Sequence, residues 1–212
     1  MSEGKLAESE SSLERALIVF PGYHYALGNL AKVNIAQKKY DEAVSLLKRR
    51  YQAAPHAENL YDLAEVLELA GQSSDAQKAF AEFETKSLAE SNKTDNSNRE
   101  LIFYYADHAK LPVKALEVAE REFVHRHDVY TLDAYAWALH VNGRDQDARK
   151  QIERALAVGI RDAKLLRHAG EIALALGDRT QAGQYLRQAA DLKAPGSEQA
   201  RMLLASLSGK DR

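Results

Sequence analysis

Residues 38–47 read KKYDEAVSLL, and one step inside them decides the fold: Ala43 is followed four residues later by Leu47. A spacing of four puts both side chains on one face of a helix. The same step recurs at Ala76/Phe80, Ala115/Ala119, Ala148/Ile152 and Ala182/Leu186. The anchor alanines lie 33, 39, 33 and 34 residues apart. Self-similarity at such a period is the mark of stacked helical units rather than of one irregular core. Gly71, Gly143 and Gly177 fall just before their anchor alanines, where a left-handed residue ends one helix and lets the next begin.

Composition agrees with a helical reading. Hydrophobic residues make up 45% of the 212, enough for a core, while 11 Gly and 4 Pro are too few for many short strands. The absence of Cys excludes disulfides, Cys-ligated zinc, iron–sulfur clusters and thiol nucleophiles. A net charge of -2 carries no electrostatic excess toward nucleic acid or an anionic membrane. No apolar run approaches the roughly 20 residues a membrane helix needs, and the polar start MSEGKLAESE has no signal-peptide core. The chain is expected to be soluble, with the compartment open between cytoplasm and bacterial periplasm.

Around the anchors the chain resembles the tetratricopeptide repeat, in which a large–small pair on a first helix is followed by Ala-x3-large on a second. Leu30-Ala31, Leu63-Ala64, Tyr135-Ala136 and Ala169-Gly170 supply the first-helix pairs, and Pro55 closes the first full repeat, with Pro21 in the equivalent place before it. The resemblance implies an all-α, right-handed superhelical solenoid of antiparallel hairpins with about twelve helices, forming one domain over 1–212. Its parts are an N-terminal half-repeat helix (1–22), repeats at 23–56, 57–95 (with a polar loop), 96–128, 129–161 and 162–195, and a closing helix at 196–212. Ser197 is expected to cap that last helix. In the half-repeat, Ser9, Leu13, Ala16 and Leu17 take the packing positions. The third repeat departs most: Arg99 stands where an aromatic is common, and Phe103 replaces the small residue. The extra length lies in the polar stretch 91–100, read as loop or frayed helix, which includes an Asn92-Lys93-Thr94 glycosylation triplet.

In this family the first helices line a concave groove. Carried over by phase, the groove positions are Tyr25, Lys32, Tyr61, Glu65, Glu68, Glu100, Tyr104, Asp107, Tyr130, Asp133, Trp137, His140, Lys164, Arg167 and Glu171. Aromatics with a polar tip suit such a surface as anchors, although Trp137 and Tyr104 would equally serve as packing between hairpins. Residues 57–107 carry 4 basic and 11 acidic side chains. If Glu65, Glu68, Asp107 and Asp133 converge, the ligand expected is one bearing Lys or Arg beside an apolar side chain. The carboxylate clamp of chaperone-binding members is not assembled, because its positions hold Gly28, Lys32, Tyr61 and Glu65. Nucleic acid, which needs a basic groove, is disfavoured.

No chemistry competes with this reading. The sequence has no phosphate-binding loop, nucleophile elbow or zinc-protease motif. His125 and His127 lie two apart, so on a helix they diverge by about 200°. No cofactor, metal or catalytic residue is expected. The function expected is a non-catalytic protein- or peptide-binding scaffold. The alternatives are a structural module that self-associates through the N-terminal half-repeat, with Leu13, Leu17 and Phe20 in the contact, and the recognition arm of a larger machine or enzyme.

Overall fold

The structure, a computed structural model, describes residues 3–91 and 98–209. Twelve α-helices and no strand are found among the described residues. They are α1 (Glu3–Val19), α2 (His24–Ala36), α3 (Tyr40–Ala53), α4 (Ala57–Leu69), α5 (Ser73–Glu90), α6 (Arg99–Phe103), α7 (Pro112–Phe123), α8 (Val129–Val141), α9 (Asp145–Leu156), α10 (Ala163–Ala175), α11 (Arg179–Asp191) and α12 (Ser197–Gly209). The all-α repeat fold expected from the anchors is present. The Asn92-Lys93-Thr94 triplet lies outside the described residues. The chain divides into two compact units, Met1–Glu90 with α1 to α5 and Ser91–Arg212 with α6 to α12.

In the first unit α2 pairs with α3 and α4 with α5. Ala31, Ala43, Ala64 and Ala76 are buried at the crossings, where small side chains let the helices approach, and Leu27, Leu47, Leu67 and Phe80 fill the space between. Gly28 backs onto Arg50, and a Cβ there would lie 2.9 Å from Arg50 Nε. That guanidinium is ion-paired with Asp62 of α4, which ties the two hairpins together. At the N-terminal end Leu13, Ala16 and Leu17 of α1 are half-buried, while Ser9 and Phe20 are exposed.

The turns within hairpins share one device. The N–H of the residue after the turn bonds back to a carbonyl five residues earlier: Gln72 to Leu67, Arg144 to Leu139 and Asp178 to Ala173, each at 2.9 Å. Gly71, Gly143 and Gly177 supply the positive φ this requires. The first hairpin makes the same bond, Lys39 N–H to the Asn34 carbonyl at 2.9 Å, with Lys38 forced to φ 60°.

The second unit pairs α6 with α7, α8 with α9, and α10 with α11, and α12 lies against α10 and α11. Its core joins Leu132, Ala136 and Leu139 of α8 to Ile152 of α9 and to Leu165, Ala169 and Ile172 of α10. Gly170 marks the closest approach, since a Cβ there would lie 2.7 Å from Leu186 Cγ. Ser197 does not act as the expected cap. It is the first residue of α12, and its hydroxyl donates to the Ala189 carbonyl (2.7 Å) and accepts from Ala194 N–H (3.0 Å), pinning the helix to the end of α11.

The third hairpin carries the main irregularity. After Phe103 the helix continues as a π-helical turn, Tyr104–His108, closed by Ala109 N–H to the Tyr104 carbonyl at 2.9 Å. Lys110 then takes positive φ, and Leu111 N–H reaches the Tyr105 carbonyl, six residues back instead of five. One extra residue is thereby absorbed inside the helix. Phe103 occupies the small-residue position yet is buried, with Lys164 Nζ 3.9 Å from its ring centroid and the His168 ring at 5.5 Å.

Candidate functional site

The first helices of the second unit, α6 with its π-helical turn, α8 and α10, hold a connected cluster of polar and aromatic side chains. At its centre the Trp137 indole, 6% exposed, donates from Nε1 to Asp107 Oδ1 at 2.7 Å. The His168 ring stacks on the indole, with centroids 4.1 Å apart and planes 17° apart. His168 Nδ1 lies 2.8 Å from Asp133 Oδ1, and Nε2 lies 2.9 Å from Arg167 Nη2. The Arg167 guanidinium sits 5.2 Å from the indole centroid and is ion-paired with Glu171 one turn further along α10. His140 stands 5.0 Å from the indole, with its Nδ1 2.6 Å from Asp145 Oδ1.

Local sequence explains the placement. Asp128 caps α8 by accepting from Tyr130 N–H and Thr131 N–H, and Asp162 caps α10 by accepting from Lys164 N–H and Leu165 N–H. These caps fix where each helix begins, and therefore which way the following turns face. The α8 segment is apolar nearly throughout, so the buried Asp133 needs a partner to offset its desolvation. His168 on α10 supplies it. Burial pushes the His168 pKa below its ordinary value, Arg167 and Lys164 add to the effect, and Asp133 opposes it.

Of the expected groove positions in this unit, Asp107, Asp133, Trp137, His140, Arg167 and Glu171 are brought together here. Lys164 joins at the edge, over Phe103. The expectation that all of them project outward is corrected by burial. Trp137 and Asp133 form the floor, whereas Asp107, His140, Lys164, Arg167 and Glu171 are half-buried around it; Tyr104, three residues before Asp107, is half-buried against the Tyr105 ring. Trp137 is buried because its ring is covered by His168 and Arg167 from the next first helix. Asp133 is spent on His168, so it does not join an acidic lining. Of the neighbouring tyrosines Tyr105 is buried and Tyr104 is half-buried. Glu100 accepts from Arg99 Nε at 3.0 Å, and exposed Tyr130 lies under the Arg99 guanidinium at 5.1 Å.

In the first unit, Tyr25 is 61% exposed and stacks with His24 at 4.0 Å. Lys32 and Glu68 are exposed, and Glu65 is half-buried. Tyr61 is corrected from groove to core. It is 2% exposed, its ring packs 5.1 Å from Phe83, and its hydroxyl alone reaches outward to donate to Glu65 Oε1 at 3.0 Å.

His168 is not among the positions expected from sequence, and Arg99 and Phe103 stand out there only as departures from the repeat pattern. A signal for His168 existed: an aspartate in the apolar run of α8 calls for a partner, and His168 stands 35 residues on, about one repeat away.

No group of three or more His, Asp or Glu among the described residues is placed to hold a metal ion. No described helix is long and apolar enough to cross a membrane.

Comparison with known proteins follows the same lines. Residues 1–59 match the family model described as tetratricopeptide repeat. No protein of curated function matches the chain. Among solved structures, a tetratricopeptide repeat protein from Parabacteroides merdae is similar over 97% of this chain and 79% of its own, with 18% identity and a TM-score of 0.63. A thermophilic protein of the same kind from Thermus thermophilus is similar over 87% of this chain and 98% of its own, at 18% identity and a TM-score of 0.53. PilW, a type IV pilus biogenesis factor, is similar over 94% of this chain and 90% of its own, at 21% identity and a TM-score of 0.52. At these identities the likeness is one of fold. Residues 1–59 thus match the tetratricopeptide repeat by sequence, and the helical hairpins of the whole chain share the fold of tetratricopeptide-repeat structures.

Proposed function

We propose that the protein is a non-catalytic scaffold that binds a protein or peptide segment on the first-helix face of its second unit. The observation that carries this reading is the cluster itself. Side chains from three successive first helices form a buried floor of Trp137, His168 and Asp133, ringed by half-buried Asp107, His140, Lys164, Arg167 and Glu171. A rim held by ion pairs and ring contacts is ordered before a partner arrives, so little side-chain entropy remains to be lost on binding. Arg167 uses one N–H on Glu171 and one on His168, of the five a guanidinium carries. In the first unit, exposed Glu68 and half-buried Glu65 favour basic side chains in the same kind of partner.

The test is selection from a displayed library of random peptides of about 12 residues. A peptide that binds is expected to weaken at least about tenfold on Lys164→Ala or Glu171→Ala, with helix content by circular dichroism unchanged. Failure to select any binder, or binders indifferent to these changes, would overturn the reading.

A second reading rests on a separate observation. Ile18, Val19 and Phe20 at the end of α1 are 79%, 66% and 66% exposed. Three such side chains in a row form an apolar protrusion able to enter a partner, including another copy of the chain. Light scattering across a tenfold concentration range decides it: a mass constant at 23.6 kDa excludes self-association.

A further inference from the structure

His168 is fully buried and bonded at both ring nitrogens, to Asp133 through Nδ1 and to Arg167 through Nε2. An ionised carboxylate only accepts, and a guanidinium only donates. One arrangement satisfies both partners: Nδ1 carries the proton and donates to Asp133, while Nε2 keeps its lone pair and accepts from Arg167. The ring is neutral in that state. A second proton on Nε2 would set N–H against N–H across 2.9 Å and place a positive ring beside a positive guanidinium.

The groups facing His168 come from three helices. On α8 they are Asp133 and the Trp137 ring, on α10 Arg167 and Lys164, and on α6 the Phe103 ring. Asp107 and His140 reach it only through Trp137, and Glu171 only through Arg167. Among the described residues Asp133 is the acid in direct contact, and it is already engaged at Nδ1, while Arg167, a donor, stands at Nε2.

We infer that this face is gated by protonation of His168: in acid the second proton displaces Arg167 from Nε2 and from the Trp137 ring, and the binding rim of α10 is rearranged. The inference rests on the reading that this face takes a partner. A partner that binds the neutral arrangement is released on acidification, and reciprocally its binding holds the proton off His168. Burial, which already disfavours the charged ring, sets the transition below the ordinary histidine range.

Trp137 is the only Trp in the chain, so its emission reports the contact directly. Emission and far-UV circular dichroism are to be followed together from about pH 8 to about pH 4.5. Expected is an emission change centred below about pH 6.5 that precedes any loss of helix, persists in His140→Gln and is absent in His168→Gln. Glutamine keeps a donor group and an acceptor group without titrating. An emission change that coincides with helix loss, or that survives in His168→Gln, overturns the gate.

Should His168→Gln not fold, nitrogen-15 spectra of the wild-type imidazoles at about pH 7.5 decide. A neutral ring protonated at Nδ1 is expected, and a charged ring or one protonated at Nε2 overturns it. These arms need no partner, so their failure is distinct from a failure to select any peptide. A selected peptide is expected to bind the wild type about tenfold more weakly one pH unit below the midpoint of that emission change than at about pH 7.5, and His168→Gln less than about twofold more weakly. Equal weakening in both overturns the gate.

Discussion

The imidazole of His168 lies flat on the indole of Trp137, with planes 17° apart and centroids 4.1 Å apart, and the two residues belong to successive first helices. This contact makes Trp137 part of the packing between hairpins. At the same time Arg167 and Asp107, which Trp137 holds in place, stand at the surface.

Trp137→Ala removes a buried indole together with its bond to Asp107. A loss of about 3–5 kcal/mol is expected, as for other large-to-small changes at buried aromatics. Chemical denaturation followed by circular dichroism measures it, and a loss under about 1 kcal/mol would mean that the ring packs far less than its burial indicates.

Stability is expected to fall in mild acid because of His168. The unfolded chain takes up its proton near about pH 6.5, whereas the folded chain resists until a lower pH. Between those points the unfolded state holds the extra proton. The contribution is therefore complete above about pH 6.5 and declines as pH falls toward the folded value, by at most about 1.4 kcal/mol per pH unit. Urea midpoints measured across that range should show the decline in the wild type and a shallower one in His168→Gln.

Gly170→Ala places a Cβ 2.7 Å from Leu186 Cγ, in the core between α10 and α11. The better helix propensity of alanine, worth about 1 kcal/mol, is set against overpacking of about 1–3 kcal/mol. Net destabilisation is expected, and a raised melting temperature would show that Leu186 moves aside at little cost.

Lys38→Gly is expected to stabilise. Lys38 holds φ 60° at the turn of the first hairpin, a conformation that costs a side-chain-bearing residue about 1–2 kcal/mol. Part of the gain is lost to the greater freedom of glycine in the unfolded chain. Thermal melts of the two proteins should separate by a few degrees, with the glycine variant higher.

The repeat was legible because its contacts are local and recur. Ala43, Ala76, Ala115, Ala148 and Ala182 are all at most 1% exposed, and a small residue at a helix crossing has few substitutes. Depth was harder to read. Helical phase places Tyr61, Asp133 and Trp137 on the inward-turning side, but the helix packed against each decides whether that side is open or covered. Phe83 covers Tyr61, and His168 covers Trp137 and satisfies Asp133. The π-helical turn had no warning in periodicity, because one added residue inside a helix looks in sequence like one added residue in the loop beside it.

Phe103 gives the second unit a property that a simple stack lacks. Its ring touches Lys164 and His168 of α10, so the third hairpin is bonded to the fifth as well as to the fourth. In an array whose energy is a sum over adjacent modules, any one can be exchanged or removed at the cost of two interfaces. Here that arithmetic does not hold. Excising α8 and α9 would strand a phenyl ring and an imidazole that depend on each other, and grafting a consensus hairpin in place of α6 and α7 would leave a void beside α10. Removing any one of the three hairpins from Arg99 to Asp191 therefore disturbs more than the interfaces it shares with its immediate neighbours.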